Sequence, residues 1–143
     1  MSADTNRLRL AMVAATLSAL AACGGGQAEL RQARDALAAA LPAPYYEDLV
    51  TESVTIEGNR LVLVVRSPEG TAAKTRGHPR FDELRRSEQQ QMQDLCGLPA
   101  LRPLLASDAM LVRRFVDRFD DVFFETELPA RECARAATME ATP

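Results

Sequence analysis

The first two dozen residues constrain this chain more than any later stretch. Arg7 and Arg9 precede an apolar run from Leu10 to Ala22, which leads into Cys23 and the glycines Gly24, Gly25 and Gly26. A positively charged start, a short apolar middle and a small-residue end make up a secretory signal peptide. A permanent membrane-spanning helix needs about 20 apolar residues, more than this run supplies. The sequence therefore predicts that residues 1–22 are removed and that the rest folds outside the cytoplasm.

Leu20-Ala21-Ala22-Cys23 closely resembles the lipobox of bacterial lipoproteins. The resemblance implies cleavage before Cys23 and diacylation of its thiol, and two acyl chains are enough for stable membrane attachment. The other reading is a soluble secreted protein cut at an Ala-x-Ala-like site, with Cys23 lost or free. In the resembling lipoproteins an aspartate after the cysteine causes retention at the inner membrane. Here that position is Gly24, which implies the periplasmic face of the outer membrane in a Gram-negative cell. The chain has three cysteines. With Cys23 assigned to lipid, Cys96 and Cys133 remain as an even pair. An oxidising periplasm permits them to bridge; two buried free thiols are the alternative. A bridge closing about 38 residues contributes about 4 kcal/mol on the chain-entropy scale, large beside a typical total of about 5–15 kcal/mol.

Removing 22 of the 143 residues leaves 121, which suits one domain. These carry 15 basic and 19 acidic side chains, a net charge of −4. Nucleic-acid recognition normally needs a basic face, so no nucleic-acid partner is expected. Attachment to the membrane is expected through the acyl chains on Cys23. Residues 23–26 read as the lipidated cysteine and a glycine tether, 27–133 as a single domain, and 134–143 as a flexible tail.

Within the domain, Leu30, Ala33, Leu37 and Leu41 recur at three- and four-residue steps, predicting a helix over 27–41 that Pro42 and Pro44 stop. Two alternating runs around Gly58-Asn59 predict a hairpin with a type II′ turn. Pairing Glu57 with Arg60 puts Val54, Ile56, Leu61, Leu63 and Val65 on one face, with Val62 and Val64 on a partly covered one. Residues 67–80 are polar and rich in Gly and Pro, and read as a long loop. A second helix is expected over 82–96. Phe81, Leu84, Met92, Leu95 and Cys96 fall near one stripe that Glu88 interrupts, and Gly97-Leu98-Pro99 stops it. A short helical turn is expected over 99–106. Strand-like runs over 110–116 and 122–128 flank Asp117–Asp121. A two-residue loop there sets Arg114 opposite Glu125 and Phe115 opposite Phe124; a five-residue loop is the alternative. The expected fold is α+β: two β-hairpins forming an antiparallel sheet with a covering helix, plus an N-terminal helix after the anchor.

Chemistry-bearing residues are sparse. His78 is the one histidine and has neither metal-spaced cysteines nor a local nucleophile beside it. Asp117, Asp120, Asp121, Glu125 and Glu127 lack the glycine and alternation of a calcium loop. Aspartate's local hydrogen bonding in a turn accounts for the cluster. No metal, cofactor or catalytic site is expected. Lys74, Arg76, Arg80, Arg85 and Arg86 gather near the long loop and suggest a docking patch for an acidic partner or an anionic surface. The bland reading is a solvated face paired to Asp82 and Glu83. Phe115, Phe119, Phe123 and Phe124 cannot all face one side of a strand pair. An exposed one, with Phe119 at the turn as the candidate, is a common interface anchor. Tyr45-Tyr46 reads either as a sugar-stacking platform or as packing at the hairpin edge.

The stretch Leu95-Cys96 to Leu105, the strands after it and the closing Cys133 resemble the C-terminal half of small Gram-negative periplasmic proteins. That pattern usually carries an Asp-x-Asp-Gly-like turn; here Asp121 replaces the glycine. The functional expectation is a lipid-anchored, non-enzymatic periplasmic protein acting by contact with an unknown protein partner. It takes the form of an immunity-type inhibitor of a periplasm-acting toxin. The alternatives are a pilot or assembly lipoprotein of an envelope secretion system, and a hydrolase or sugar-binding protein built on Tyr45, Tyr46 and His78.

Overall fold

The computed structural model of the protein describes residues 25–140; the predicted signal peptide and the predicted lipidation site Cys23 lie outside them. Helix α1 (Gly25–Ala38) buries Leu30 and Ala33 and half-buries Leu37, the stripe its spacing dictates. Strand β1 (Ala43–Pro44) comes next, then β2 (Val50–Glu57) and β3 (Arg60–Arg66). The β2–β3 turn has Glu57 opposite Arg60. Gly58 has φ +64° and Asn59 is not among the residues with positive φ. A left-handed first position with an ordinary second one is the predicted type II′ pattern, and glycine adopts it without strain.

The segment read as a loop contains a short helix, α2 (Ala72–Arg76). The second predicted helix splits into α3 (Phe81–Gln91) and a 3₁₀ segment (Met92–Gly97), with another 3₁₀ segment (Pro99–Leu104) after it. Strands β4 (Met110–Val116) and β5 (Val122–Pro129) carry the expected Arg114–Glu125 and Phe115–Phe124 pairings. Helix α4 (Ala130–Glu140) occupies most of the stretch that the sequence reading assigned to a tail. Cys133 lies on its first turns and bridges to Cys96.

The fold is α+β, as expected, with the five strands in the order β1-β2-β3-β4-β5. Three of the four junctions are antiparallel. The two hairpins meet in parallel through β3 and β4, with Leu61 beside Leu111 and Val65 beside Phe115. Parallel neighbours need a long crossover. Residues 67–109 supply it and carry α2, α3 and both 3₁₀ segments on the way. One apolar cluster joins Leu30 and Ala33 of α1 to Leu61, Leu63, Leu111, Leu128, Met92, Leu101 and Leu104. A second gathers Val65, Ala72, Phe115 and Phe123. The core face of the sheet is thus covered by α1 and the 3₁₀ segments, and α3 lies along β5. There the Gln89 side-chain amide donates to the Glu127 carbonyl (2.7 Å) and accepts from its N–H (3.3 Å). This imitates a strand partner and closes part of an edge that would otherwise invite another chain.

Leu111, Arg113 and Phe115 share one face of β4, so Arg113 sits between the two clusters. It is buried and donates to the Tyr45 hydroxyl (3.1 Å) and the Gln91 carbonyl (3.3 Å). The Tyr45 hydroxyl donates to buried Glu88 at 2.5 Å. Burial, and then this bond to Glu88, push the Tyr45 phenol far above its ordinary pKa. Glu88, which interrupts the apolar stripe in the sequence, is therefore the partner of a polar layer.

The opposite sheet face carries crossed ion pairs. Arg60 reaches over β4 to Glu125 and Glu127 (both 2.6 Å), and Arg114 reaches over β3 to Glu57 (2.6 Å) and across to Glu125. The long side chains lie over Val62 and Val112, both with no exposed surface. The cover, expected to be partial on the Val62 and Val64 face, is complete at Val62, and Val64 is half-buried.

Tyr45→Phe should lower stability by about 1–3 kcal/mol, because it leaves buried Glu88 and Arg113 short of a partner. Urea unfolding measures this, and an unchanged midpoint would mean that the polar layer contributes nothing to stability. Cys96→Ser should cost about 2–4 kcal/mol through loss of the loop constraint, read by the same titration.

Candidate functional site

Two ends of the sheet differ. At one end, the Gln27 side chain donates to the Gly58 carbonyl at the β2–β3 turn, which places the start of α1 there. At the other end lie the β1–β2 loop, the β4–β5 turn and the start of α2. The chain enters the domain at the first end, and most features that the sequence singled out gather at the second.

Asp117 organises that second end. One carboxylate oxygen accepts from the Ala72 N–H (2.8 Å); the other accepts from the N–H groups of Phe119 (2.8 Å) and Asp121 (3.0 Å). The Ala72 bond first, and then the other two against the opposing effect of burial, hold its carboxyl below the usual carboxylate range. One aspartate thus shapes the β4–β5 turn and pins α2 to it. Asp120, with φ +70°, takes the left-handed position of the turn, one residue before the place the sequence pattern suggested for a glycine. Arg66 adds bonds to Asp120 (2.5 Å) and to Glu52. Asp117 and Asp120 are engaged in these bonds and Glu125 and Glu127 in the pairs with Arg60 and Arg114, and no group of three or more metal-ligating side chains occurs among the described residues.

Between α2 and α3 lies a groove of about 340 Å³, lined by Thr75, His78, Arg80, Phe81, Glu83, Leu84 and Ser87. Phe81, the aromatic residue of the lining, is backed by a series of further rings. Phe81 meets Phe124 edge-on (5.7 Å between centroids), Phe124 stacks on Phe115 (4.6 Å) and Phe115 meets Tyr45 (5.8 Å). Leu84, which the periodicity placed in the buried stripe, is 42% exposed in this groove. The reason is that α3 packs at the edge of the sheet, so its buried stripe narrows to Glu88, with Met92 and Leu95 buried beyond the helix end. Leu84 is the site residue that sequence reasoning missed, since an apolar residue at a core-like spacing gives no sign of exposure.

Of the five predicted basic residues only Arg80, just before α3, lines this groove; Lys74 and Arg76 lie on α2 and Arg85 and Arg86 on α3, outside the lining. Arg76 donates to the Val122 carbonyl at the β5 edge (2.8 Å). Arg80 pairs with Glu83 (2.9 Å), and Arg85 pairs with Asp82 (3.7 Å) while lying over the Phe81 ring. Lys74 and Arg86 form no ion pair within the described residues. Residues 72–86 hold five basic and two acidic side chains in a chain of net charge −3, so this segment is locally basic, while the groove lining itself holds the paired Arg80 and Glu83. Phe119 is 60% exposed at the β4–β5 turn, with the Arg118 guanidinium 4.8 Å from its ring centre, and belongs to the same end but not to the groove.

Tyr45, Tyr46 and His78 are not brought into one pocket. Tyr45 points into the polar layer, Tyr46 is exposed in the β1–β2 loop, and His78 lines the groove without them. Its Nδ1 accepts from the Arg80 N–H (3.2 Å). A second concavity, of about 460 Å³, lies at the chain-entry end beside Gly26, Asn59 and Asp108.

No protein-family model and no curated protein matches the chain. Solved structures do. A protein from Pseudomonas aeruginosa described as secreted superposes with a TM-score of 0.58 at 20% identity, over 81% of this chain and 98% of its own. The pilotin EpsS of the Vibrio vulnificus type 2 secretion system superposes with a TM-score of 0.51 at 14% identity, over 76% and 94%. At such identities the likeness is one of fold.

Because the Asp117 carboxyl is depressed in the folded state, its contribution is complete above the unfolded value of about 3.9 and is lost as pH falls through the lower folded value. The stability difference between the protein and Asp117→Asn should be constant above about pH 5 and shrink below about pH 4. Chemical denaturation across that range reads it; a pH-independent difference would assign the effect to shape alone.

Proposed function

We propose that the protein is a lipid-anchored envelope protein that works by protein–protein contact, as a pilot or assembly factor for a secretion machine. The observation that carries this reading is the fold it shares with a type 2 secretion pilotin, taken with the signal peptide and lipobox-like Leu20–Cys23. Among the described residues no helix is long and apolar enough to cross a membrane, so an acylated Cys23 would provide the attachment. Only Gly24 separates Cys23 from α1, a reach of under about 8 Å. The entry end of the sheet would therefore stand close to the membrane. Strand β3 has seven residues, which at about 3.3 Å per residue separates the two ends by about 23 Å. The groove between α2 and α3 and Phe119 would be presented away from the lipid. This suits a carrier that holds a partner's segment during transit or assembly.

Deleting the gene in its host should move secretin multimers from the outer-membrane fraction to the inner-membrane fraction, and Cys23→Ser should do the same. Unchanged secretin fractionation in the deletion strain would overturn the pilot role. If that strain also became sensitive to a competitor's periplasm-acting toxin, the immunity reading would take its place.

A further inference from the structure

We infer that α3 is a strap that opens from the sheet as a unit while the rest of the domain stays folded. A surface helix normally owes its place to an apolar face packed on the core. Helix α1 follows that rule, burying Leu30 and Ala33 and packing Leu37 on the first apolar cluster. Helix α3 does not. Nine of its eleven residues are exposed, Phe81 is half-buried, and the one buried side chain is the Glu88 carboxyl group. Its attachments are accordingly polar. The Tyr45 hydroxyl donates to Glu88 (2.5 Å), and the Gln89 side chain exchanges two hydrogen bonds with the Glu127 backbone (2.7 and 3.3 Å). Its ring contact with the sheet is the edge-on meeting of Phe81 and Phe124. Hydrogen bonds given up at a surface are replaced by bonds to water, and a buried carboxyl group regains its hydration. Opening α3 therefore sacrifices little, whereas lifting α1 would expose leucines.

Both ends of the strap are fixed more firmly than its middle. On the α2 side, buried Asp117 holds the Ala72 N–H, and residues 77–80 make the turn into α3. On the other side, the Gln91 carbonyl accepts from buried Arg113, Met92 and Leu95 are buried, and Cys96 is bridged to Cys133. Opening leaves α2 and the 3₁₀ segments in place and releases the contacts of Phe81, Glu88 and Gln89 between them. Because α3 forms one side of the groove and Phe81 meets Phe124, this motion widens the groove and uncovers the stacked rings of Phe124 and Phe115. The width of the groove is thus set by a few polar bonds. The motion belongs to the domain itself and is independent of the pilot role, which secretin fractionation reads.

Native-state hydrogen exchange followed by NMR tests this, on the full mature protein purified from envelopes in detergent with its disulfide intact. The amides of residues 85–90 should exchange at least about a hundredfold faster than those of β3 and β4, and share one protection factor. The amides of residues 30–37 in α1 should exchange more slowly than those of α3. Gln89→Ala should speed exchange across residues 85–90 by about fivefold. Alanine's better helix propensity alone would slow it, so the direction identifies the lost attachment. Leu30→Val removes a contact that the open form keeps. It should therefore speed the strands by about tenfold and leave residues 85–90 unchanged. Exchange of residues 85–90 at the rate of the strands would overturn the inference. So would rates graded inward from one end of α3, which is fraying, or no response to Gln89→Ala. An equal response of strap and strands to Leu30→Val would also overturn it, because the two would then open together.

Discussion

Parallel pairing of β3 with β4 governs the rest of this structure. Antiparallel neighbours can be joined by two residues, but parallel ones require the chain to return the length of the sheet. Residues 67–109 make that return and place α2 and α3 beside β5 and both 3₁₀ segments over the core face. The groove exists because α2 and α3 are successive parts of one crossover that turns between them at residues 77–80. Asp117 fixes where the crossover begins, by holding the first N–H of α2 to the β4–β5 turn. The hydrogen bond between the Met110 N–H and the Asn59 carbonyl marks where it ends.

Helical cover on one face leaves the other to water, and the two faces solve different problems. On the open face, Arg60 and Arg114 cross neighbouring strands to reach glutamates, so their aliphatic stems shield Val62 and Val112 while their charges stay solvated. On the core face, a charged residue sits between two apolar clusters. Arg113 is tolerable there because the Tyr45 hydroxyl and the Gln91 carbonyl accept from it, and Tyr45 in turn donates to Glu88; a buried polar group left unpaired is costly. The same layer ties the β1–β2 loop, β4 and α3 together. The groove wall is thereby attached to the sheet by polar contacts as well as by the ring series from Tyr45 to Phe81.

Local chemistry made much of the fold legible. The leucine spacing of α1, the Gly58-Asn59 turn with its register, the Arg114–Glu125 pairing and the Cys96–Cys133 bridge come from neighbours in sequence or from counting thiols. The basic cluster was visible as well, because five cations within thirteen residues, from 74 to 86, need no structure to be counted. The parallel junction was not legible, since two hairpins carry no local signal of how they meet. Nor was α2, a five-residue helix whose start depends on Asp117, 45 residues away. Leu84 and Glu88 exchanged their expected roles. A 3.6-residue period states which residues share a face but not how much of that face a neighbour will cover.

By itself, then, the sequence determined the strand and helix segments with strong periodicity, the pairing of the two late cysteines and the excess of positive charge after β3. Tertiary structure alone decided that the hairpins join in parallel, that a glutamate lies inside and a leucine outside on the same helix, and that a groove opens between α2 and α3 opposite the chain entry. The division has one physical cause. Turn preference, helical spacing and charge count are properties of residues near one another in the chain, whereas burial and the walls of a groove arise where distant segments meet.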